Sequence, residues 1–127
     1  LEGAVMSSDN NNIVNNGMEQ AELNGISILR LTGPWDFESF EHLKDKIDSH
    51  INSSAYFLMN FEKVEYINSI GIAMVAKYFM QCKERSVPFA ICSLSNQVKE
   101  VFKITDVTKM IPLYKNEDEA VKNMKGN

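Results

Sequence analysis

A chain of 127 residues with 44% hydrophobic residues has apolar material for one compact domain with its own core and too little for two ordinary ones. A formal net charge of −4 excludes the broadly basic face that nucleic-acid binding requires, so no direct nucleic-acid contact is expected. No run approaches the roughly 18 continuous apolar residues of a membrane helix, and the first residues lack the basic and apolar regions of a signal peptide. The composition therefore points to a soluble, cytoplasmic protein with no membrane association.

Residues 1–16 contain Ser7-Ser8-Asp9-Asn10-Asn11-Asn12 and Asn15-Asn16 with few apolar anchors, and they read as a flexible N-terminal tail. Leu1-Glu2-Gly3-Ala4-Val5, ahead of Met6, read as an appended remnant outside the fold argument. Residues 17–127 are expected to form a single domain. Met18 to Leu23 reads as a strand, Asn24-Gly25 as a hairpin turn, and Ile26 to Leu31 as the second strand, which Gly33-Pro34 should break. Asp36 is placed as an N-cap, with Trp35 before it positioned to staple onto Phe40. The helix that follows carries Phe40, Leu43, Ile47 and Ile51 at helical spacing, with its charges on the remaining faces.

Ala55 to Phe61 is short and almost continuously apolar, as a strand covered on both faces should be. It leads to Tyr66-Ile67-Asn68-Ser69-Ile70-Gly71, which opens a markedly apolar helix. Ile72, Val75, Ala76 and Phe79 form one stripe of that helix, and Ile70, Ala73, Met74 and Lys77 form another, which is either further core or a surface for a partner. A strand at Pro88 to Leu94, a helix capped by Ser95 or Asn96 and presenting Val98, Val101, Phe102 and Ile104, an edge strand at Met110 to Tyr114, and a helix capped by Asn116 complete the pattern. The expectation is an initial hairpin followed by helix-strand units, giving an α/β mixed sheet with helices packed on it. Cys82 and Cys92 read as reduced, buried thiols.

Ser69 has two readings. Its hydroxyl caps the helix, or it carries a phosphate where unpaired amides and the helix dipole favour negative charge. Asp36 is likewise a cap, a partner-facing residue, or both, and Trp35 is a packing residue unless it is exposed. His42 and His50 have no companion set of ligands, and no nucleotide-binding glycine loop is present. Neither an enzyme, a metal site nor a cofactor is therefore expected.

Taken in order, Leu31-Thr32-Gly33-Pro34-Trp35-Asp36, the strand ending at Asn60-Phe61, the turn Ile67-Asn68-Ser69-Ile70-Gly71 and the run Ser95 to Phe102 resemble the STAS domains of bacterial anti-sigma factor antagonists. The resemblance covers roughly Gly17 to Met124. It implies a STAS-like mixed β-sheet of about four to five strands with helices mainly on one face. It also implies phosphorylation-controlled binding to an anti-sigma factor serine kinase, release of a sigma factor, and resetting by a serine phosphatase. Ser69 matches the phosphorylated serine, and Asp36, Asn68, Ser69, Ile70, Gly71 and Met74 become the expected partner-binding residues. The family turn usually has aspartate where this chain has Asn68, which keeps a carbonyl acceptor and loses the charge. The other reading of the same fold is a non-phosphorylated scaffold or ligand-sensing module in a regulatory or lipid-transport assembly. A weak homodimer is compatible with either.

Overall fold

The computed structural model describes residues 5–6, 13–15, 17–103 and 106–125. Seven strands lie in one sheet in the same order as in the chain: β1 (Val5–Met6), β2 (Ile13–Asn15), β3 (Met18–Leu23), β4 (Ile26–Trp35), β5 (Phe57–Ile67), β6 (Phe89–Cys92) and β7 (Leu113–Tyr114). Strands β1 to β4 pair antiparallel, and β4 to β7 pair parallel. Five strands fall in residues 17–127, which is the expected mixed sheet. The five described residues within 1–16 all lie in β1 and β2; the rest of the expected tail falls outside the described residues.

Helices α1 (Phe37–Ser53), α2 (Ser69–Glu84) and α3 (Asn96–Phe102) connect the parallel strands. Parallel connections are right-handed, and each step moves the chain one strand in the same direction, so all three helices are carried to one face. That face holds the main core. Phe40, Leu43, Ile47 and Ile51 of α1 and Ile72, Val75, Tyr78 and Cys82 of α2 pack there against alternate residues of the sheet, including Leu29, Phe57, Met59 and Ile91. The intervening positions Ile26, Ile28, Leu58, Ala90 and Cys92 face the other way, where α4 (Glu117–Met124) covers them with Ala120.

The core on this second face is smaller than the first, and polar groups also fix its helix. Arg30 holds Glu117 in a two-pronged contact of 2.7 and 3.0 Å and reaches Glu19, its cross-strand partner, at 3.1 Å. Asn60, 5% exposed, also donates to Glu117, and its Oδ1 accepts from Glu62 N at 2.7 Å. Burial opposes the Glu117 charge, but the hydrogen bonds from Arg30 and Asn60, with the Arg30 charge, outweigh it and hold the carboxyl below its ordinary range.

The turn between β3 and β4 has Asn24 at φ 53° and Gly25 at φ 81°, as a two-residue hairpin of this twist requires. Gly33-Pro34, by contrast, does not break β4. The strand runs to Trp35, and its pairing with β3 ends at Leu31, so Pro34 lies where β4 has no partner on that side to miss its N–H. Strand β5 is also longer than its apolar run. It starts at Phe57 and reaches Ile67, with two register shifts that each place one more residue on β5 than on β4. After each shift the buried side chain comes three positions later, so Phe61, Val64 and Ile67 all face the core.

The expected strand at Met110 to Tyr114 is reduced to Leu113–Tyr114, because Val107–Met110 coils into a 3₁₀ turn. Ile104, expected to continue the α3 stripe, lies outside the described residues. Both cysteines are free and buried, and burial pushes their thiols up, to about 12 at Cys82 and about 11 at Cys92. Among the described residues no helix is long and apolar enough to cross a membrane.

Candidate functional site

Strands β4 and β5 are parallel neighbours, and their last paired residues are Trp35 and Ile67. Asp36 and Asn68 are the next residues of each, so two helices start side by side, one strand spacing of about 5 Å apart. Asp36 Oδ1 accepts from Ser39 N at 3.0 Å, and Asn68 Oδ1 accepts from Gly71 N at 2.9 Å. Both caps have extended backbone and bond the amide three residues on, the standard way of satisfying an orphan donor in the first turn. In both cases a buried residue before the cap, Trp35 or Ile67, precedes a buried residue at the fourth helical position, Phe40 or Ile72.

The capping reading of Ser69 is therefore corrected. Asn68 is the cap, and Ser69 is the first residue of α2, exposed, with no hydrogen bond to its hydroxyl among the described residues. The departure at Asn68 has a structural account: its amide oxygen performs the capping, which needs an acceptor and not a charge. Gly71 is buried because nothing larger fits. A Cβ on it would lie 2.2 Å from Trp35 O and 2.8 Å from Ile67 Cγ1, so this glycine lets the start of α2 sit on the ends of β4 and β5.

The two large apolar residues among those expected to bind a partner divide. Ile70 is 45% exposed, whereas Met74 is half-buried and packs against the main core. Lys77, on the same stripe, lies over the rings of Phe40 and Tyr78 at 5.2 and 5.8 Å, bridging α1 and α2. Trp35 is 1% exposed, so it is a core residue and no binding platform. Two residues that the sequence reading passed over complete the surface. Phe37, first residue of α1, is 54% exposed, and Tyr66, paired with Pro34, is 51% exposed. Their signal was present in the chain, as large side chains within two positions of a cap that no helical or strand periodicity claims.

The ends of β4 and β5 and the starts of α1 and α2 thus expose Phe37, Tyr66, Ser69 and Ile70, with the aliphatic hydroxyl of Ser69 unengaged among the described residues. Such a surface suits contact with another macromolecule, since aromatic residues beside a small polar group are typical anchors. A phosphate on Ser69 would lie at the N-terminus of α2, where the dipole and the first-turn amides accommodate it without disturbing the fold.

Comparison with known proteins bears on the fold and the family. The STAS domain family matches residues 18–120. An anti-sigma F factor antagonist of Paenibacillus polymyxa is 19% identical over 106 residues, covering 82% of this chain and 91% of the relative. An anti-sigma factor antagonist STAS domain protein from Planctomyces limnophilus superimposes with a TM-score of 0.76 at 19% identity, over 86% of this chain and 98% of that one. The Bacillus cell fate determinant SpoIIAA in its phosphorylated form superimposes with a TM-score of 0.65 at 18% identity, over 83% and 96%.

Proposed function

The chain belongs to the STAS domain family, and from that premise we propose that it is an anti-sigma factor antagonist whose binding to an anti-sigma factor serine kinase is controlled by phosphorylation of Ser69. In this reading it acts in the cytoplasm by binding and not by catalysis, and a serine phosphatase restores the binding form. The observation that carries the proposal is the division of labour at the start of α2. Asn68 does the capping, which leaves the Ser69 hydroxyl exposed and, among the described residues, unbonded, at the end of the sheet that also exposes Phe37, Tyr66 and Ile70.

Unmodified, Ser69 lies within the contact, with Phe37, Tyr66 and Ile70 as its apolar anchors and Asp36 and Asn68 shaping the loop behind it. Gly71 and Met74 support this surface from within. A phosphate adds a charge of about −1.5 to −2 and three acceptor oxygens. Buried against an apolar or acidic partner without a counter-charge, it opposes binding by several kcal/mol, while about 1.4 kcal/mol already weakens affinity tenfold. The switch works by desolvation and repulsion at the interface and needs no refolding.

The test mixes the protein with ATP, magnesium and the candidate kinase from its own genome, followed by intact-mass analysis and site mapping. One phosphate on Ser69 with loss of the complex is the expected result, and Ser69→Ala should bind without being modified. Stable binding with no phosphate transfer would instead identify a constitutive antagonist or scaffold.

A further inference from the structure

A cavity of about 560 Å³ opens beside β7, the edge strand two places from β5, among α3, the 3₁₀ turn and the start of α4. Its walls combine two chemistries. Leu94, Phe102, Leu113 and Tyr114 supply apolar surface, with Phe102 buried, Leu94 and Tyr114 half-buried and Leu113 exposed. Lys99, Lys103, Lys109 and Lys115 surround them.

Four of the thirteen basic residues of an acidic chain thus converge on one opening. Glu119, which also lines it, already accepts from Lys115 N at 2.6 Å in fixing the start of α4. Among the described residues Lys103 and Lys109 pair only with Glu100 and Asp106, both at 3.3 Å and all largely exposed, contacts that hold a lysine weakly. Among the described residues Lys99 and Lys115 form no ion pair. The volume is within the range of small-ligand pockets, about 300 to 1,000 Å³, and an apolar lining with a few convergent charges is their usual composition.

We propose that this cavity is a binding site for a small anionic amphiphile, a molecule with an apolar tail and a carboxylate or phosphate head. The tail lies on Leu94, Phe102, Leu113 and Tyr114, and the head is received by the lysines, principally the unpaired Lys99 and Lys115. The charge of the rim decides the sign of the ligand, and the apolar floor excludes a simple inorganic anion as its natural occupant.

The test is a titration of the full chain, followed by amide chemical shifts, with decanoate, decyl phosphate and uncharged decanol. Both anions should bind more tightly than decanol, weaken as salt is raised, and shift amides around Leu94, Phe102 and Tyr114. The tighter of the two identifies the head group as carboxylate or phosphate. Lys99→Gln with Lys115→Gln should weaken the anions about tenfold and leave decanol unchanged, with thermal melting confirming that these exposed substitutions leave the fold intact. Equal binding of decanol, shifts confined to another surface, or polyglutamate binding as strongly as decanoate with no need of a tail would each overturn the proposal.

Discussion

The neighbouring starts of α1 and α2 use serine in opposite ways. At α1 the Ser39 hydroxyl turns back to donate to Pro34 O at 2.6 Å and lies 3.1 Å from Asp36 Oδ1, while the same carboxylate oxygen takes the Ser39 amide. Cap, hydroxyl and the end of β4 close on one another. At α2 the closure is made by Asn68 and a glycine amide, and the serine lies outside it. Two serines at equivalent ends of adjacent strands thus differ in whether the fold needs their oxygen. A hydroxyl that its neighbours have made redundant is one that can be modified without destabilising the protein.

Gly71→Ala should break this comparison most severely. The new methyl meets a backbone carbonyl that has no rotamer to change, so α2 must lift from the end of β4 at a cost of about 3 kcal/mol. Chemical denaturation would show the loss, and kinase binding should fall with it. Asp36→Ala removes the acceptor of the Ser39 amide and a negative charge at the start of α1, and should cost about 1 to 2 kcal/mol by the same measurement. Asn68→Ala loses a single capping bond and should cost about 1 kcal/mol, whereas Asn68→Asp should retain the cap. The smallest effect sharpens the contrast directly: Ser39→Ala should destabilise by about 1 kcal/mol, and Ser69→Ala should stay within about 0.5 kcal/mol of the parent. Equal losses at the two serines would show that Ser69 has a structural role.

Much of this was legible in the chain because it depends on local chemistry. Asn24-Gly25 specifies its turn through φ, Asp36 and Asn116 are acceptors one step before helical periodicity begins, and the stripe from Phe40 to Ile51 faces the core as its spacing requires. The misreadings occur where a residue's role is set by elements distant in sequence. Gly33-Pro34 reads as a strand end until the extent of β3 is known, since a missing N–H matters only where a partner strand would receive it. The lower part of β5 hides its strand character because the register shifts replace alternation by a spacing of three. At Ser69 the difficulty was different. Both Asn68 and Ser69 carry capping oxygens, and a one-residue choice between them depends on the exact end of β5. Phe37 and Tyr66 escaped notice because exposure is a property of the assembled surface and not of either segment alone.

The agreement between strand order in the sheet and strand order in the chain has a consequence for how the molecule assembles. From β4 onward each parallel partner lies only about twenty to thirty residues ahead in the sequence, the length of one helix with its flanking turns, so no pairing needs distant parts of the chain to find each other. Loop closure is paid in similar small steps, and each new strand meets an edge that is already in place. During synthesis the sheet can grow strand by strand as segments emerge, with α4 following β7 to lock Arg30 and Asn60 through Glu117.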